Sequence, residues 1–111
     1  MGTMLYGNSG LDIAFEDRAL AHLQIVITAK LRRREAFVFS WTSPGASGMG
    51  RTVIWLDPSS TLLFRFLGSR VPSINREWVA ALMASANSGS GLIFTAEPGT
   101  TGASSASPKR L

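Results

Sequence analysis

Phe15-Glu16-Asp17-Arg18-Ala19-Leu20-Ala21-His22-Leu23-Gln24-Ile25-Val26-Ile27-Thr28-Ala29-Lys30-Leu31-Arg32-Arg33-Arg34 decides how the rest of the chain is read. Leu20, Leu23, Ile27 and Leu31 recur at helical spacing and share one face. Ala19 and Val26 widen that stripe, while Asp17, Gln24, Thr28 and Arg32 line the opposite side. Glu16 and Asp17 open the segment and Lys30, Arg32, Arg33 and Arg34 close it, the order that suits a helix dipole. Ile25 points away from the stripe, so either a second element or an interface must cover it. A helix with one apolar face needs a layer to bury it against, and the flanking sequence provides one.

Upstream, Met4-Leu5-Tyr6, the turn signal Gly7-Asn8-Ser9-Gly10 and the alternating Leu11-Asp12-Ile13-Ala14-Phe15 predict an opening hairpin. Downstream, Phe37, Phe39 and Trp41 alternate with Val38, Ser40 and Thr42, the strongest strand signal in the chain. Ser43 to Gly50 reads as a loop, Arg51–Leu56 as a strand, Asp57-Pro58-Ser59-Ser60 as a turn and Thr61–Leu67 as a third strand. Three strands on short connections predict an antiparallel meander. Ser73 or Asn75 can cap a second helix bearing Trp78, Leu82 and Ala86 on one stripe, ended by Asn87-Ser88-Gly89-Ser90-Gly91. Leu92–Ala96 reads as a last strand. The order ββαβββαβ predicts an α+β two-layer sandwich, a mainly antiparallel sheet with two helices on one face.

Length and composition fit one domain over residues 1–98, with a Gly/Ser/Thr/Ala-rich tail over 99–111 that is expected to be disordered. Hydrophobic residues make up 45%, enough for a core. With no cysteine there is no disulfide framework, thiol nucleophile or zinc–thiolate site. No signal peptide and no membrane-spanning run is apparent, so a cytoplasmic protein with no membrane partner is expected. The net charge of +4 falls to +2 over residues 1–98, which carry nine bases and seven acids. The overall charge is therefore weak support for a nucleic-acid partner, and only Arg32-Arg33-Arg34 is locally unusual.

Several groups invite a chemical reading. Gly45-Ala46-Ser47-Gly48-Met49-Gly50-Arg51-Thr52 approaches a phosphate-binding loop, but Arg51 replaces its lysine and a strand follows instead of a helix. An ordinary hairpin loop is the expectation. His22 has no second histidine or cysteine to complete a metal site and no catalytic partner nearby in sequence, which leaves a packing or interface role beside Ile25. Phe37, Phe39 and Trp41 suit a core, although near Arg32-Arg33-Arg34 and Arg65 they also suit base stacking. The arginine run fits a solvated helix end, phosphate contacts or an acidic protein partner. No pair of carboxylates has defensible catalytic spacing, and no cofactor is implied.

Phe15-Glu16-Asp17-Arg18 with Ala21-His22-Leu23-Gln24, Lys30-Leu31-Arg32-Arg33, Phe39-Ser40-Trp41, Gly50-Arg51-Thr52, Ile54-Trp55-Leu56 and Asn75-Arg76-Glu77-Trp78 with Ala86-Asn87-Ser88 together resemble a family. It comprises short actinobacterial proteins of unknown function, often labelled ATP-dependent DNA ligase. The resemblance spans roughly residues 2–98 and implies no established catalytic residue. Ligase adenylation needs a nucleophilic lysine in a K-x-D-G setting. Lys30 precedes Leu31-Arg32-Arg33 and Lys109 lies in the tail, so neither lysine fits. At most the label implies an accessory association with ligation or DNA.

Three functions follow as expectations. The first is a non-catalytic nucleic-acid-associated module, with Arg32, Arg33, Arg34, Arg51, Arg65 and Arg70 on phosphates. The second is a protein-interaction or self-assembling module, motivated by Ile25 and the many Trp and Phe residues. The third is a small enzyme or nucleotide binder built on Gly45–Thr52 and His22.

Overall fold

Helix α1 spans Asp17–Arg32 and α2 spans Arg76–Ala86. Strands β1 (Gly2–Tyr6), β2 (Leu11–Phe15), β3 (Phe37–Gly45), β4 (Gly48–Leu56), β5 (Leu62–Arg65) and β6 (Leu92–Ile93) complete the predicted order ββαβββαβ. The computed structural model describes residues 1–7, 10–45 and 48–98. The predicted tail therefore lies outside the described residues. Among them, no helix is long and apolar enough to cross a membrane.

The α+β class holds, but the strands divide into two three-stranded sheets, ordered β2-β1-β5 and β4-β3-β6. The expected meander is corrected here. β3 and β4 pair, but β5 crosses to β1, with Met4 opposite Phe64 and Tyr6 opposite Leu62. The Asp57 turn causes the departure. Its carboxylate accepts from the Ser59 N–H at 2.8 Å, its own N–H donates to Ser60 Oγ, and Ser60 N–H donates to the Asp57 carbonyl. That turn ends β4 and sends the chain away from its edge.

The segment read as a loop over residues 43–50 is mostly hairpin arm, since the β3–β4 ladder runs on to Gly45 opposite Gly48. Pro44 is tolerated because even-numbered residues of β3 turn their backbone groups away from β4. The Ser40 carbonyl shows this polarity by accepting from Phe94 N–H on the opposite side. β6 is shorter than expected and pairs parallel to β3, Phe39 with Leu92 and Ser40 with Ile93. Gly91 makes that approach possible. Its φ is +80°, and a Cβ there would lie 2.6 Å from the Val38 carbonyl oxygen.

The core joins the two sheets under the helices. Leu20, Leu23, Val26 and Ile27 are buried from α1, and Trp78, Leu82 and Ala86 from α2. Phe37, Phe39 and Trp41 meet them, and Phe15 of β2 packs on Phe39, Trp41 and Phe94 at ring separations of 5.2–6.3 Å. Phe37 and Phe39 are turned into this core and away from solvent. Gly2 lets α1 lie close on β1, since a Cβ there would stand 2.7 Å from Leu20 Cδ2.

Two polar contacts fasten α1 to both ends of α2. His22 Nε2 accepts the Asn75 N–H at 2.8 Å, and Asn75 caps the start of α2 through its side chain. Lys30 Nζ donates to Asn87 Oδ1 at 2.7 Å, and Asn87 ends α2. The earlier residue of α1 meets the start of α2 and the later one its end, so the helices run in the same direction. Lys30 also pairs with Glu35 at 2.7 Å, which holds the Glu35 carboxyl below its usual range.

Candidate functional site

The six arginines proposed for phosphate contact do not form one cluster. Arg32 lies on the exposed side of α1, where it shares a shallow concavity with Gln24, Ile25, Thr28 and Ala29. Arg33 turns toward α2, with its guanidinium 3.9 Å from Met83 Sδ and 3.6 Å from Glu35. Arg34 is exposed and left-handed, with φ 62°. It ends α1 in a Schellman arrangement, in which Arg34 N–H donates to Leu31 O and Glu35 N–H to Lys30 O. Arg51 sits on β4, opposite Thr42. Arg65 sits on β5, on the face of its sheet away from the half-buried Phe64. Arg70 lines a small cleft with Ala21, Gln24 and Phe66 beside α1. Only Arg32 and Arg70 flank the same helix surface.

His22 is inside the fold and shares no surface with Ile25. It is fully buried, and its ring lies 4.6 Å from that of Trp78. Its Nδ1 is 2.7 Å from the Arg18 carbonyl, and its Nε2 must accept because Asn75 offers an N–H. The proton therefore sits on Nδ1, and neither nitrogen is left for a metal or substrate. Ile25 is exposed, as its position off the apolar stripe implied.

Chemistry-bearing groups elsewhere are similarly occupied. The residues flanking Ala46 and Ser47 form two antiparallel strands, with no helix N-terminus to hold a phosphate. A groove of about 560 Å³ runs between β2 and the β3–β4 arm over Phe15, Trp41 and Phe94. Its acids are Asp12 and Glu16, and its hydroxyls come from Thr42, Ser43 and Thr52. Among the described residues, no three His, Cys, Asp or Glu side chains stand together as a metal site. Glu97 is committed to structure. Arg18 Nη2 meets it at 2.6 Å and Asn75 Nδ2 at 2.8 Å, and together they pull its carboxyl down to about 2.

What remains open is the outer face of the β4-β3-β6 sheet. Helix α2 packs on its inner face against β3 and β6, and Phe37, Phe39, Ile54, Leu56 and Leu92 are buried there. The outer face carries Val38 and Ser40 from β3, Arg51, Val53 and Trp55 from β4, and Ile93 from β6. Trp55 is 54% exposed, Val53 46% and Ile93 42%. Buried Ser40 pairs with Val53 on one side and Ile93 on the other, so these apolar groups are contiguous.

Trp55 is also held in place. Its indole N–H donates to Asp57 Oδ2 at 3.0 Å, and its backbone carbonyl accepts from the Tyr6 hydroxyl. An aromatic ring that is exposed yet fixed loses little freedom on binding. Sequence reasoning placed Trp55 on a strand without seeing that it faces out. Val53-Ile54-Trp55-Leu56 is apolar on both faces, so alternation gives no direction. The one available signal was the register with Phe37 and Phe39, whose inward faces carry Leu56 and Ile54 with them.

No curated protein and no solved structure matches the chain. A family model does match, over residues 1–97, and the chain belongs to that family, a domain of unknown function (DUF7882).

Proposed function

We propose that the protein is a non-catalytic protein-interaction module whose docking surface is the outer face of the β4-β3-β6 sheet. The observation that carries this reading is the pinned, 54%-exposed Trp55 within a contiguous apolar patch that neither helix covers. Exposed apolar patches on small domains mark contact surfaces, and tryptophan is over-represented among the residues that dominate them. The dispersal of the arginines and the commitment of His22 and Glu97 to structure support the same choice.

Affinity capture from cells that make the protein tests it. The wild type is compared with Trp55→Ala and with Leu63→Ala, an exposed residue on the other sheet. A species retained by wild type and Leu63→Ala but lost with Trp55→Ala supports the reading. Equal retention by all three opposes it.

A second reading rests on Arg51 and Trp55 lying on the same sheet face, a base next to a stacking ring. That pair suits a single-stranded nucleic acid, and an accessory role in ligation would belong to this reading. Titration with single-stranded DNA and RNA between about 50 and 200 mM salt separates the two. Binding that weakens with salt and disappears with Trp55→Ala favours nucleic acid. Its absence at low salt removes it.

A further inference from the structure

We infer that β4 is also a self-pairing edge, through which two copies of this chain join their β4-β3-β6 sheets into one six-stranded sheet. β4 is an edge strand nine residues long and, among the described residues, has a strand partner on one side only, β3. The Trp55 carbonyl reaches the Tyr6 hydroxyl on the side away from β3, which sets the strand's polarity. Backbone N–H and C=O of one residue point the same way in a strand, and the direction alternates. Odd-numbered residues, Met49, Arg51 and Val53, therefore turn their backbone groups to the free edge. The same residues have exposed side chains, and Met49 is 69% exposed. Among the described residues no partner meets their edge groups. One charge, Arg51, and no proline protects this edge, little defence for a strand of its length.

The residues select one register. A two-fold axis normal to the sheet can pair only odd with odd residues at hydrogen-bonded positions. Centring on Arg51 would oppose two guanidiniums. Centring on Val53 leaves only the bonds between the two Val53 residues, because the flanking Arg51–Trp55 pairs need the Trp55 carbonyl that Tyr6 holds. Centring on Gly50 leaves Val53 and Trp55 without a cross-strand neighbour. Centring on Thr52 sets Arg51 opposite the partner's Val53 and Val53 opposite the partner's Arg51, with four backbone hydrogen bonds. Thr52 meets its own copy at a non-hydrogen-bonded position, with Cα atoms about 4.5 Å apart.

The proposal adds a second copy to the sheet identified above but does not depend on what its outer face binds. Sedimentation equilibrium from micromolar to about 1 mM tests it. The mass is expected to rise from 11.9 kDa toward twice that value. Arg51→Pro deletes an edge-facing N–H without touching the β3 ladder, and is expected to stay monomeric with an unchanged circular dichroism spectrum. Arg51→Ala keeps the N–H and is expected to dimerise. Because the chain has no cysteine, Thr52→Cys offers a second readout that needs no proline. Mild oxidation is expected to give a covalent dimer at the two-fold axis, and Ser69→Cys, away from β4, is expected not to. A wild type monomeric at 1 mM, or Thr52→Cys that crosslinks no better than Ser69→Cys, overturns the pairing. Capture lost with Trp55→Ala but kept with Arg51→Pro would leave the proposed docking face standing on its own.

Discussion

His22 of α1 accepts the backbone N–H of Asn75, the residue that caps α2, at 2.8 Å. The two residues are 53 positions apart, and through them one helix fixes where the other begins. The Asn75 side chain completes the cap by accepting from Glu77 and Trp78 N–H at 2.9 and 3.3 Å.

His22→Ala leaves the Asn75 N–H without its acceptor and opens space beside Trp78. The expected loss is about 3 kcal/mol, combining an unsatisfied donor with a cavity. Asn75→Ala is expected to cost about 1–2 kcal/mol. The double variant should cost less than the sum, because both substitutions break one network. Urea unfolding followed by tryptophan emission measures all three.

Arg34→Gly is expected to stabilise the fold by about 1 kcal/mol. Arg34 holds φ 62° at the exit of α1, where a side chain is penalised and glycine is not. Thermal unfolding reads this as a rise in Tm. No change would mean that the guanidinium makes a compensating contact.

Gly91→Ala is expected to cost about 3 kcal/mol or more. The added methyl meets both the side chain and the carbonyl of Val38, at a residue whose φ is +80°. The damage should be local to β6, so amide exchange at Ile93 and Phe94 should rise first.

Acid should weaken the protein in a defined window. Arg18 and Asn75 hold Glu97 at about 2, below its ordinary 4.5, so folding favours its carboxylate. That contribution is complete above about pH 4.5 and is lost as pH falls through about 2. Asp17 is lowered as well, by the Gly68 and Leu67 N–H groups, and Glu35 by Lys30. All three act in the same direction, so Tm should be flat near neutrality and fall below about pH 4.5. For Glu97 the effect is about 1–2 kcal/mol, allowing for solvent around half-exposed Arg18. Glu97→Gln should already be less stable at pH 7 and show a shallower acid limb.

The elements themselves were legible because their patterns are local. The stripe Leu20, Leu23 and Ile27 and the alternation Phe37, Phe39 and Trp41 turn out buried as their spacing implies. Partner choice was not legible. Nothing within Leu62–Arg65 says that it will leave β4 for β1. The roles of His22 and Lys30 depend on Asn75 and Asn87, each more than 50 residues away, so neither could be read from its own helix. Trp55 escaped notice for a different reason, since its strand is apolar on both faces. The arginine run looked like one feature because its members are adjacent, yet a helix exit points them in different directions.

The most direct test of an interaction surface centred on Trp55 is fluorine NMR of protein labelled with 5-fluorotryptophan. The chain has three tryptophans, of which Trp41 is 9% and Trp78 4% exposed against 54% for Trp55. In the free protein only the Trp55 resonance should show a large solvent isotope shift. On adding extract from cells that make the protein, that resonance alone should move or broaden, and Trp55→Phe should identify it. A Trp55 resonance unchanged by extract, or one that shows no solvent shift in the free protein, would contradict the account.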